Sequence, residues 1–70
     1  MRTMTAYTRT SVGTGVFHVY RDTAGQFRWR LRAANGEIIA HGESYPTRAG
    51  AHAGVEAVKR IAPTARIQDI

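Results

Sequence analysis

The chain has no cysteine. That excludes disulfides, thiolate zinc sites and a thiol nucleophile. Lysine is almost missing as well, with Lys59 the sole example among ten basic residues, and acids number five. The formal net charge is therefore +5, carried by arginine. No apolar run approaches the length of a bilayer span. Met1 to Gly15 carries Arg2 and Arg9 but no apolar stretch, unlike a secretory signal. The chain reads as cytoplasmic, with no membrane partner. Also missing are a nucleophile-elbow motif and a phosphate loop. The histidines, His18, His41 and His52, lack metal-ligand spacing and read as isolated surface residues. No catalytic residue, metal or cofactor is expected, so the reading is of a non-enzymatic protein.

Seventy residues make one domain. A chain of this size buries only about 60% of its unfolded surface. Its hydrophobic gain and its ordering entropy are then nearly equal, and small domains usually add a staple. With disulfides excluded, self-association is the expected reinforcement.

What is present is arginine, nine of the ten basic residues. Its planar fork suits phosphate and carboxylate. A high coding GC content also raises arginine and alanine together, so composition alone decides nothing.

Residues 1–15 (MRTMTAYTRTSVGTG) are rich in Thr, Ser and Gly without periodicity and read as a flexible tail. The domain proper is 16–70. VFHVYRD (16–22) alternates as a strand. Thr23-Ala24-Gly25 turns the chain, and FRWRLRAA (27–34) is the clearest strand. Asn35-Gly36 predicts a type I′ hairpin, with positive φ at both residues. EIIAHG (37–42) then returns antiparallel, completing a three-stranded meander. Thr47 or Ser44 caps a helix, with Pro46 near its start. Ala51, Val55, Val58 and Ala62 form one apolar stripe on it. The Ala and Gly content of 49–54 lets it lie close to a sheet. Glu56 and Arg60 are spaced to pair, and Pro63 stops the helix. ARIQDI (65–70) reads as a short final edge strand. The fold class is α+β, a βββαβ order with one helix on one sheet face and the other face bare.

These residues resemble a known family. Phe17-His18-Val19-Tyr20-Arg21-Asp22, Phe27-Arg28-Trp29-Arg30-Leu31, Asn35-Gly36-Glu37-Ile38-Ile39, Tyr45-x-Thr47-Arg48-Ala49 and Gly54-Val55-x-x-Val58-Lys59 look like the YegP-like family, small bacterial and archaeal domains of unknown function. The likeness covers 16–62, about two-thirds of the chain. It implies a βββαβ unit, two of which form one continuous sheet and exchange their C-terminal strands. A single unit then implies a homodimer in which 65–70 crosses to the partner. The departures are His41-Gly42-Glu43, Arg60-Ile61 and the longer N-terminal tail. The family offers no accepted site to transfer.

Period-two geometry puts Arg28, Arg30 and Arg32 on one face and Phe27, Trp29 and Leu31 on the other. His18 and Tyr20 are expected beside the arginines. Such a face suits nucleic acid or another polyanion, through phosphate contacts and stacking. It equally suits a solvated sheet face, or arginines paired with Asp22, Glu37 or Glu43. Three strands and a helix also resemble the arm-binding domains of phage integrases and the plant ethylene-response DNA-binding domains, which lay a sheet in the major groove. That is likeness of pattern alone. The alternative is a protein-interaction or structural homodimer with no nucleic-acid role. Trp29 and Tyr45 read as packing residues.

Overall fold

The computed structural model describes residues 15–70. The tail expected over 1–15 lies outside them, except Gly15, which opens the first strand. Strands β1 (Gly15–Arg21), β2 (Phe27–Ala33) and β3 (Ile38–His41) form one antiparallel sheet in that order, with β2 central. Helix α1 (Arg48–Ile61) follows and runs into a 3₁₀ turn, Ala62–Thr64. This is an α+β fold.

Both hairpins use the same loop. Asp22 and Gln26 close the first, with Gly25 N–H donating to the Asp22 carbonyl at 3.0 Å. Ala33 and Glu37 close the second, with Gly36 N–H donating to the Ala33 carbonyl at 2.9 Å. Gly25 and Gly36 alone carry positive φ, 84° and 91°. The second loop is therefore a three-residue type I turn followed by a glycine bulge. It is not the type I′ turn that Asn35-Gly36 predicts, because Asn35 keeps a negative φ. Its Oδ1 instead accepts from Glu37 N–H at 3.0 Å. The third loop residue slips the register by one. A bulge on β3 restores it, with Ile39 the extra residue opposite the Leu31–Arg32 step of β2.

The Asp22 carboxylate organises the first loop. Its Oδ1 accepts from Ala24 and Gln26 N–H, both at 2.9 Å. The remaining oxygen accepts from Arg28.

Thr47 is the helix cap, its Oγ1 accepting from Gly50 N–H at 2.9 Å. Lys59 and Arg60 occupy the last turn, where cations suit the helix dipole. Glu56 and Arg60 form no ion pair; Arg28–Asp22 is the ion pair among the described residues. An exposed pair at that spacing gains too little to hold two long side chains.

The helix packs on β2 and β1, on the face bearing Phe17, Val19, Trp29 and Leu31. Trp29 (6% exposed), Ala51 (0%) and Val55 (7%) are the buried core. Phe17 meets Trp29 edge-on, ring centroids 5.6 Å apart. Approach is close because Gly54 faces Tyr45 and the Trp29 indole, where a Cβ would overlap the tyrosine hydroxyl. Tyr45 bridges back to Phe27 through two backbone bonds of 2.7 and 2.8 Å. The Trp29 Nε1 is buried without a hydrogen-bond partner. Residues 65–70 form no strand within the chain and are exposed throughout, Ile67 at 99%.

Candidate functional site

The bare sheet face is assembled by register. Cross-strand partners share a face. Val16, Arg32 and Ile38 make one row, His18, Arg30 and His41 the next, and Tyr20 with Arg28 a third. The five residues singled out in the sequence, His18, Tyr20, Arg28, Arg30 and Arg32, thus lie on one face, away from the helix.

The three arginines are not equivalent. Arg28 Nε donates to Asp22 Oδ2 at 2.8 Å, so one of the carboxylate pairings open in the sequence is realised. This bond, with the Gln26 and Ala24 N–H groups, holds the Asp22 carboxyl below its usual range. The same bond raises the Arg28 guanidinium. Arg32 donates through Nη1 to the Gly36 carbonyl at 2.6 Å and braces the second loop. Arg30 has neither role. Its guanidinium lies 4.7 Å over the Tyr20 ring, and its Nε is covered with no hydrogen-bond partner. It makes no ion pair among the described residues.

One site residue escaped the sequence reading. The sequence alone leaves His41 an isolated surface residue, whereas the register sets it directly opposite Arg30. The signal was present: counting back from an Asn35-Gly36 hairpin pairs position 41 with position 30. The three-residue loop and the bulge together preserve that pairing. His41 and Arg28 also line an open depression of about 420 Å³ with Trp29, Gly42, Glu43 and Tyr45. It exists because the ladder stops at Gly42 and resumes only at Tyr45.

Other positions offer less chemistry. Arg21 and Arg48 lie 5.8 and 4.8 Å from the Phe27 ring centroid, on the helix side. His52 is exposed on α1. Among the described residues, no three His, Asp or Glu side chains gather as a metal site would need, and no helix is long and apolar enough to cross a membrane.

Three strands, one helix and a basic open face describe a small α+β domain. Residues 22–69 match the family described as "Domain of unknown function (DUF1508)". The chain belongs to this family, which is the YegP-like family that the sequence resembles. It is 45% identical over 56 residues to a protein of Treponema denticola named as a UPF0339 protein, covering 80% of this chain and 97% of that one. A UPF0339 protein of Methanosarcina acetivorans is 49% identical over 51 residues, covering 73% and 88%. A solution structure of a protein from Haloferax volcanii has the same fold, with a TM-score of 0.76 and 41% identity over 81% of this chain and 97% of that one.

Proposed function

We propose that the domain is a non-enzymatic binding module whose open sheet face holds nucleic acid by its phosphate backbone. The observation that carries this reading is Arg30: a guanidinium at the centre of the sheet that makes no ion pair among the described residues and whose Nε has no hydrogen-bond partner. Arginine so placed favours phosphate. Arg28 and Arg32, tied to Asp22 and Gly36, flank it as a fixed positive frame. The mode is backbone capture rather than base stacking, because Arg30 already covers the Tyr20 ring. Binding therefore depends on charge more than on base identity. The test is fluorescence anisotropy with random-sequence duplex and single-stranded oligonucleotides across a salt series. Affinity falling linearly with the logarithm of salt supports the reading, and absence of binding at low salt removes it.

A second reading concerns assembly and rests on a different observation. Ile67 and Ile70 are fully exposed at the end of the chain, β1 and β3 are both sheet edges, and Ile38, Ile39 and Ile61 are exposed as well. A homodimer exchanging 65–70 would bury these side chains and pair an edge. It would also present the arginine face twice. Light scattering reads the mass directly, and a monomeric mass at micromolar concentration with a stable fold contradicts it.

A further inference from the structure

Taken singly, Arg21 and Arg48 are exposed basic residues. Taken together they share one ring. Arg21 closes β1 as the cross-strand partner of Phe27, and Arg48 opens α1. Their guanidinium carbons lie 5.8 and 4.8 Å from the Phe27 ring centroid, so one half-buried ring holds both. The two groups are no further apart than those distances laid end to end, about the 10 Å Debye length of 0.1 M salt. Each therefore feels the charge of the other.

No acid answers them. All five acids of the chain lie among the described residues, and neither arginine makes an ion pair with one. Asp22, next to Arg21, is held by Arg28. Arg48 also stands against the helix dipole. It is the first residue of α1, whose first turn carries no acid, and a helix start favours negative charge over positive. The helix would gain from an anion here, and its own sequence supplies none.

We infer that Arg21 and Arg48, held on the Phe27 ring beside the start of α1, are a binding site for a phosphate monoester. The site lies on the helix side of the sheet and does not rest on the nucleic-acid reading of the open face. A guanidinium over a ring still presents its N–H fork at its edge. Among the described residues the arginine side chains that donate hydrogen bonds are Arg28 and Arg32, so neither fork of this pair is occupied there. A monoester carries a charge of about −1.5 to −2 at pH 7 and three acceptor oxygens. It can answer both guanidinium groups at once and supplies the negative charge that the helix start favours. A carboxylate, with a single charge, answers only one of them.

The test is an NMR titration of the isotope-labelled protein with inorganic phosphate, beside sodium acetate at matched ionic strength. The Nε–H signals of Arg21 and Arg48 and the amide of Phe27 should shift and saturate with phosphate but not with acetate. Arg21→Gln and Arg48→Gln should each weaken the affinity about tenfold or more. Arg60→Gln, with the same loss of charge at the far end of α1, should leave it unchanged. Melting curves establish that each variant is folded. The signals are specific to residues, so phosphate on the open face reads separately at Arg30. A nucleoside monophosphate, and a short oligonucleotide with and without a terminal phosphate, then show whether the monoester is free or ends a strand. Shifts that acetate reproduces, saturation that survives Arg21→Gln with Arg48→Gln, or no shift at all overturns the site. Each of these leaves the nucleic-acid reading of the open face standing.

Discussion

The Trp29 indole packs directly against Gly42. A Cβ at position 42 would overlap the ring atoms Nε1, Cε2 and Cδ1 at once. The large core residue of the central strand thus depends on a missing side chain in the neighbouring one. Gly42→Ala must push the indole off the helix or break the Gly42–Trp29 backbone bond of 3.0 Å. Overpacking of this kind costs about 1–3 kcal/mol. A domain this small then melts roughly 4–8 °C lower per kcal/mol. Thermal denaturation checks this, and an unchanged midpoint would show that the ring has room to move.

Acid sensitivity follows from Asp22. Its folded-state carboxyl is held below its unfolded value, chiefly by the Arg28 bond. A depressed carboxylate contributes stability that is fully present above the unfolded pKa of about 3.9. That stability is lost as pH falls through the lower, folded value. Asp22→Asn keeps an Oδ1 acceptor for the loop but cannot titrate. Its stability should fall less than that of the parent between neutral pH and about pH 3, measured by urea midpoints. Parallel acid limbs for the two proteins would contradict the role given to the pair.

The helix cap gives a simpler case. Thr47→Ala removes the acceptor for Gly50 N–H. The expected loss is about 1 kcal/mol, read from the same urea midpoints, and the backbone cap geometry alone should not make it good.

Much of this architecture was legible in the sequence, and the exceptions are physical. FRWRLRA alternates so cleanly that β2, its buried Trp29 and the half-buried arginines of its other face follow from a period of two. The 49–54 small-residue stretch foretold the tight helix contact. The turn type was missed because Asn-Gly favours two-residue and three-residue loops alike; which one forms depends on whether a downstream bulge can restore register. The role of Gly42 was hidden because its reason lies on another strand. The Glu56–Arg60 spacing permits an ion pair without making it worth its entropy. For the site, the sequence supplied the arginines but not their inequality. Arg28 is occupied by a residue six positions away and Arg32 by a loop carbonyl, and neither bond has a sequence signature.

Self-association puts the C-terminal segment to the test. Ile67→Asp with Ile70→Asp places charges where the dimer reading buries apolar side chains. The substituted protein should scatter as a monomer and melt below the parent, whose midpoint should rise with protein concentration. A parent that is monomeric, with a concentration-independent midpoint, contradicts the exchange.

The inequality of the arginines separates the nucleic-acid reading from a merely solvated face. The direct measurement is oligonucleotide anisotropy on Arg30→Gln beside Arg28→Gln and Arg32→Gln at fixed low salt, each checked by its melting curve. If the open face holds phosphates through Arg30, which makes no ion pair among the described residues, Arg30→Gln loses the most affinity while its melting changes least. Equal losses that track melting, or no binding by the parent at all, would contradict the account and leave the arginine row as the wet side of a strand.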